Sequence, residues 1–155
     1  MKGLRFLIAL GLMCLAGCEE RATEDAFFDK ELTQQNGLQV SRPTGFAEAF
    51  TDSGISFAES GRLRSPRTIE VLVSNSQPAA LAAPHERVLT DGTAVTFATR
   101  ELGAGSGAME YELTAAKPAG ERWIVVTAIE QSEFGAPAFE TAWRVLENSR
   151  LSTRP

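Results

Sequence analysis

Three consecutive segments between residues 93 and 131 alternate apolar and polar side chains, which is the pattern of a half-buried β-strand. The segments are residues 93–100, 108–115 and 122–131, and the links at 103–107 and 117–120 contain glycine or proline. Links this short cannot carry the crossover that a parallel pair requires, so neighbouring strands must run antiparallel. An antiparallel meander is therefore predicted for this part of the chain.

The third segment is apolar on both faces over residues 123–129, which predicts a central strand with cover on both sides. A C-terminal helix is predicted to supply that cover, because apolar residues recur at helical spacing: Phe139, Ala142, Trp143 and Leu146. Pro137 suits the first turn of this helix. Arg144 and Arg150 suit its C-terminal end, where positive charge complements the helix dipole.

Shorter strand-like segments precede the meander, at residues 38–41, 46–51, 54–59 and 68–73, with turn-forming residues between them. Residues 75–84 are predicted as a loop or a short helix. The predicted fold is therefore α+β, a twisted antiparallel sheet of about five to seven strands with the C-terminal helix packed across it. This length is enough for one domain with one core.

The N-terminus has the layout of an export signal, in which Lys2 and Arg5 precede an apolar run over residues 6–16. The run is shorter than the roughly 20 residues that a membrane-spanning helix needs. Leu15-Ala16-Gly17-Cys18 resembles the lipobox of bacterial lipoproteins. Residues 1–17 are therefore predicted to be a lipoprotein signal peptide that is removed. The alternative is an ordinary leader, cleaved or retained, that ends at Cys18.

The lipobox resemblance implies that the Cys18 thiol carries a diacylglyceryl group and that the new amino terminus is acylated. Because each buried CH₂ contributes about 0.8 kcal/mol, several chains on one residue make a stable anchor. Residue 19 is Glu and not the Asp that tends to retain lipoproteins at the inner membrane. Attachment to the outer membrane, facing the periplasm, is the expected location.

The polar segment after the anchor is predicted to be a lipidated tether over residues 18–36, and the folded domain is predicted to cover residues 37–155. Phe27 and Phe28 leave two possibilities open, because they could begin the fold or lie on a short helix. The mature chain loses Cys14 with the signal and uses Cys18 for lipid. It therefore has no disulfide, and its stability must come from core burial.

The net charge of the mature chain limits the classes of partner that it can bind by electrostatic attraction. Of 15 Lys and Arg residues, 13 remain once Lys2 and Arg5 are removed, against 20 Asp and Glu, so the net charge is about −7. This acidic balance argues against binding to nucleic acid or to anionic lipid headgroups by charge. Contact with the membrane is expected through the lipid anchor only, and cationic protein partners are favoured.

The motif search predicts no catalytic residue, metal site or cofactor. His85 is the only histidine and is predicted to lie in a loop, which leaves no Ser–His pair or histidine-based metal cluster. Ser106 lacks the flanking glycines of a nucleophile elbow, since Ala104 and Ala108 occupy those positions. The chain also lacks an EF-hand loop.

Two pairs of carboxylates remain, Glu110 with Glu112 and Glu130 with Glu133. Two acids about 5 to 10 Å apart could serve glycoside hydrolysis. In an acidic protein, however, glutamates on a strand usually form only a solvated face. A binding role for this acidic face is more plausible than catalysis.

Several short motifs taken together resemble the lipid-anchored immunity proteins of type VI secretion. They are GF at 45–46, RSPRTIEV at 64–71, GSG at 105–107 leading into EYEL at 110–113, QSE at 131–133, and Trp143. The resemblance implies a Mog1/PsbP-like α/β sandwich and neutralisation of a secreted muramidase that cleaves peptidoglycan. It also implies that Glu110, Glu130 or Glu133 meets basic side chains or a metal-bound site in the active-site groove of that hydrolase.

Two other functions stay open at the level of sequence. The chain could be an accessory subunit or scaffold in an outer-membrane complex, with no toxin as its target. It could also be a hydrolase that acts on the wall itself, although the motif search makes this the weakest of the three hypotheses.

Replacement of Cys18 by Ser is expected to remove the protein from the membrane fraction, because the acceptor thiol for the lipid is lost. Fractionation of cells and labelling with a radioactive fatty acid would measure this. Cys14→Ser is the matched control and should remain lipidated and membrane-bound. A Cys18→Ser protein that still sediments with the membrane would contradict the anchor.

Overall fold

The fold comes from a computed structural model, and the structure describes residues 27–61, 66–81, 84–104 and 108–152. The predicted signal peptide, Cys18 and Ser106 lie outside these residues. The elements of the described chain, in order, are β1 (Phe28–Gln35), β2 (Leu38–Pro43), β3 (Phe46–Phe50), β4 (Gly54–Glu59), β5 (Thr68–Ser74), a 3₁₀ turn (Ala79–Leu81), β6 (His85–Val88), β7 (Ala94–Ala104), β8 (Met109–Ala119), β9 (Arg122–Ser132), α1 (Glu140–Asn148) and β10 (Arg150–Leu151).

The strands form two antiparallel sheets. The larger sheet has seven strands in the order β3-β4-β5-β9-β8-β7-β6, and the smaller one has three in the order β1-β2-β10. The predicted α+β class is confirmed, as is the meander of β7, β8 and β9. The second sheet was not predicted.

Strand β9 is the middle strand of the larger sheet, as its two apolar faces predict. Ile124, Val126 and Ala128 point to the main core, which also contains the buried side chains of α1. Val125 points to the opposite face and packs in a smaller cluster with Leu81 of the 3₁₀ turn. The helix therefore covers one face, and the 3₁₀ turn covers part of the other.

Helix α1 packs between the two sheets, against β9 on one side and β2 on the other. All four residues of the predicted apolar stripe are buried: Phe139, Ala142, Trp143 and Leu146. Thr141 and Val145 are buried as well. This wider burial follows from the second sheet, because a helix with cover on two sides needs more than one buried stripe.

The predicted ends of the helix were wrong. Helix α1 begins at Glu140, and the residue before it, Phe139, has a left-handed backbone with φ of 52° and no side-chain cap. Pro137 therefore lies before the helix and not in its first turn. Arg144 is in the middle of the helix and Arg150 lies in β10, so neither completes the last helical turn.

The positive charge at the C-terminus of α1 comes instead from β8. The ammonium group of Lys117 donates hydrogen bonds to the carbonyl oxygens of Leu146, Glu147 and Ser149, at 2.6, 3.1 and 2.6 Å. Burial lowers the pKa of Lys117 below its usual value, while the nearby Asp91 carboxylate opposes that shift. Lys117 thus satisfies carbonyl groups that have no partner within the helix, where the dipole favours a cation.

The domain begins earlier than the predicted boundary at residue 37. Residues 28–35, which were assigned to the tether, form β1 and pair with β2. Of the two possibilities for Phe28, the structure favours the start of the fold, since its side chain packs against the main core. A hydrogen bond from Thr33 to Glu48 links β1 to the larger sheet.

His85 lies in an edge strand and not in a loop as predicted, because residues 85–88 pair with β7. All four side chains of β6 are exposed. A strand without a buried face shows no alternation of apolar and polar residues, which is why the sequence pattern did not reveal it. In the part of the chain that is described, no helix is long and apolar enough to cross a membrane.

Replacement of Lys117 by Met is expected to lower the free energy of unfolding by about 2 kcal/mol, because the Ser149 carbonyl loses the ammonium donor and the Leu146 carbonyl keeps only the Ser149 amide. Urea denaturation would measure the loss. Arg122→Met, at the exposed first residue of β9, is the matched control and should change stability by less than about 0.5 kcal/mol. Equal effects of the two variants would contradict the role assigned to Lys117.

Candidate functional site

The three predicted binding residues lie at one end of the seven-stranded sheet. Glu110 is in β8, Glu130 is near the end of β9, and Glu133 follows β9 directly. The register pairs Met109 with Ser132, so the first residues of β8 lie beside the last residues of β9. We call this region, residues 101–104, 109–112 and 130–135, the acidic end.

The acidic end does not bring the three carboxylates onto one surface. Glu110 lies directly opposite Gln131 in the antiparallel pair, and directly opposed residues share a face of the sheet. Because successive residues of a strand point to opposite faces, Glu130 points away from the Gln131 face. Glu110 and Glu130 therefore lie on opposite sides of the same sheet.

Glu110 and Glu112 share the face that α1 does not cover. The Glu110 carboxylate accepts a hydrogen bond from the Gln131 amide at 3.1 Å. Glu112 forms an ion pair with Arg100 at 2.7 Å, and its side chain is mostly buried beneath the more exposed arginine. Glu110 is thus the carboxylate of this pair that remains without a cation in the described contacts.

Glu130 lies on the helix side of the sheet, in a cavity of about 530 Å³ that also contains Arg67, Phe27 and the start of α1. Arg67 forms an ion pair with Glu59 at 2.8 Å. The hydrogen bond to Glu59 raises the pKa of Arg67, and the charge of Glu130 adds to that effect. Glu130 therefore interacts electrostatically with Arg67 of its own chain. This makes it less available to a partner than an exposed carboxylate.

Glu133 is exposed, and so is the next residue, Phe134, whose side chain is 95% exposed. The turn that holds them is defined by two features. The Phe134 amide donates a hydrogen bond to the Ser132 hydroxyl at 3.3 Å, and Gly135 has a φ of 91°, which favours glycine. The acidic end thus presents a carboxylate and an aromatic ring side by side.

Sequence reasoning missed Phe134. The available signal was a phenylalanine between Glu133 and Gly135, directly after a strand and outside any periodic pattern. A large apolar residue in a turn has no core to enter, so its position in the sequence already indicated exposure.

The described residues form no arrangement typical of catalysis or metal binding at this end. His85 is far along the sheet in the edge strand β6, where its ring lies 5.4 Å from that of Phe97. Within the described ranges, no group of three or more His, Cys, Asp and Glu side chains could hold a metal ion. What the acidic end offers chemically is a charged and apolar contact surface.

A larger cavity, of about 1180 Å³, opens at the opposite end of the sheet, where the β8–β9 turn meets the end of α1. Charged residues of both signs line it, including Asp91, Arg122 and Glu147. Lys117 also borders it, but its ammonium group already donates to three carbonyl oxygens. This mixture gives no preference for a ligand of either charge.

Comparison with known proteins identifies a matching family and a similar protein. The family model of the type six secretion immunity 3 domain matches residues 39–150, which include Glu110, Glu130 and Glu133. The Immune protein Tsi3 of Pseudomonas aeruginosa strain PAO1 is 45% identical over 144 residues, which are 93% of this chain and 96% of that protein.

Proposed function

Since this chain belongs to the type six secretion immunity 3 family, we propose that it protects the cell that makes it from a type VI effector that degrades peptidoglycan. The immunity role, and with it the binding of a cognate effector, follows from the family. The class of effector is our proposal. The observation that carries it is the family match over residues 39–150, and an N-terminal sequence with the layout of an export signal supports it.

We further propose that the protein is anchored through lipid on Cys18 to the outer membrane and faces the periplasm. The lipobox at residues 15–18 and the glutamate at position 19 support this location. Eight residues separate Cys18 from Phe27, and an extended chain over these nine residue steps spans about 30 Å. The domain would therefore stay close to the membrane while its binding surface meets an effector that enters the periplasm.

Inhibition would occur by occlusion, with the acidic end filling the active-site groove of the effector. Glu133 is the best placed carboxylate because it is exposed, and Glu110 lies on the adjoining face of the sheet. Glu130 could take part only if a segment of the effector entered the cavity beside Arg67. Complementary charge of this kind mainly speeds association and selects the partner.

An inhibitor of this kind needs no catalytic group, and we propose that the chain has no enzymatic activity. We also propose that the fold is of the Mog1/PsbP-like type. An antiparallel sheet with α1 packed across it supports that assignment, and the three-stranded sheet on the other side of the helix would be an addition to it.

Cells that produce the cognate effector in the periplasm are expected to lyse, and production of this full-length chain is expected to prevent the lysis. Turbidity and release of labelled peptidoglycan fragments would measure both effects. The same effector confined to the cytoplasm is the control and should be harmless, because its substrate lies outside that compartment.

Deletion separates immunity from a scaffold role. Loss of this chain should be harmless once the effector gene is also deleted. A growth or envelope defect that persists in the double deletion would contradict immunity and would favour the accessory subunit of an outer-membrane complex.

A further inference from the structure

Phe134 is the most exposed large apolar side chain of the described chain, at 95%. The other exposed apolar side chains are less accessible, and Phe50, the next phenylalanine among them, is 58% exposed. An aromatic ring in water forgoes the stabilisation that burial would give it. The core of the fold gains nothing from this ring, so its place in the turn needs a reason outside the fold.

The backbone of Phe134 is held close to the end of β9. The hydrogen bond from the Phe134 amide to the Ser132 hydroxyl fixes the residue relative to β9, the middle strand of the sheet. Gly135 then continues the bend of the chain with a positive φ. Because the residue follows a long paired strand so closely, less conformational freedom is lost when the ring binds than would be lost from a free loop.

Further apolar surface lies at the same end. Leu102 is 41% exposed at a point where the register of β7 and β8 shifts. Met109 is half-buried and pairs with Ser132, two residues before Phe134. The acidic end therefore combines accessible apolar side chains with carboxylates.

The charges around Phe134 indicate which partner it fits. Glu101 and Glu133 are exposed at this end. Among the described arginines near it, Arg67 and Arg100 form ion pairs with Glu59 and Glu112, and Arg144 lies over the Phe27 ring and pairs with Glu140. A negative border disfavours an anionic lipid surface and favours a protein cleft with a basic border.

We propose that Phe134 is the anchor of the immunity complex, and that its ring enters an apolar pocket within a basic cleft of the cognate effector. This inference rests on the proposed function and assigns its binding energy to one side chain. Aromatic residues that fill pockets at the centre of an interface are the usual hot spots, and they act mainly on the rate of dissociation. Glu133 at the border would act on association.

The alternative binding site for the Phe134 ring is the lipid bilayer. Phe27 lies in the cavity beside Glu130, so the tether joins the domain near the acidic end. A short tether would bring Phe134 close to lipid as well as to the effector. The experiment must therefore distinguish insertion into a protein pocket from insertion into a bilayer.

The test uses the full-length protein in detergent and the purified effector whose lysis the wild-type chain prevents. Phe134→Ala is expected to weaken binding about 30-fold, mostly through faster dissociation. Phe134→Tyr keeps the ring and should bind within about threefold of wild type. Phe50→Ala removes an exposed ring from β3, away from the acidic end, and should leave the affinity unchanged.

The outcomes are separable. Binding of Phe134→Ala as tight as that of wild type would overturn the anchor while leaving the proposed function intact, and failure of the wild-type chain to bind the effector would overturn the proposed function itself. Equal losses in Phe134→Ala and Phe50→Ala would also overturn the anchor. Thermal unfolding of both alanine variants should match wild type, since both rings are exposed.

Vesicles of phosphatidylethanolamine and phosphatidylglycerol test the bilayer directly. A Cys18→Ser chain, which lacks the lipid, is expected not to float with these vesicles. Flotation that depends on Phe134, together with unchanged effector binding by Phe134→Ala, would assign the ring to the membrane and overturn the proposal.

Discussion

The fold depends on α1 being buried from two sides, between β9 of the larger sheet and β2 of the smaller one. The carbonyl groups of the last helical turn favour a nearby cation, and that turn carries no basic residue of its own. Lys117 of β8 supplies the positive charge, since its ammonium group donates hydrogen bonds to three carbonyl oxygens. The same contact holds the helix against the sheet at the end opposite to the acidic end. The acidic end thus lies at the end of the sheet away from the contacts that Lys117 makes with α1.

The central strands could be predicted because their side chains are either buried on both faces or alternate between buried and exposed positions. The alternation of Leu113 and Ala115 in β8 follows from burial on the helix side of the sheet. The apolar run of β9 follows from burial on both sides, by the main core and by the cluster around Leu81. Strands β1, β6 and β10 could not be found in this way. Strand β6 has no buried side chain, β1 is largely polar, and β10 has only two residues. Their pairing depends on contacts with segments distant in sequence, which a local pattern does not contain.

The candidate site also has features that the local sequence reveals and features that depend on contacts between distant segments. The carboxylates could be located along the chain, and the alternation of β9 places Glu130 on the core side. That Arg67 lies close to Glu130, however, depends on the pairing of β5 with β9, and the sequence separation is too large for motif spacing to reveal it. Phe134 was missed for a different reason, since a search for chemistry follows ionisable residues and passes over an apolar ring in a turn.

The central claim is that the acidic end is the surface that meets the effector. Amide hydrogen exchange of the full-length chain, with and without the cognate effector, tests it most directly. The account predicts slower exchange in the complex at residues 130–135 and in the adjoining β7–β8 hairpin, with little change at the β8–β9 turn around Gly120. Slower exchange confined to that turn or to the edge strand β6, with the acidic end unchanged, would contradict the account.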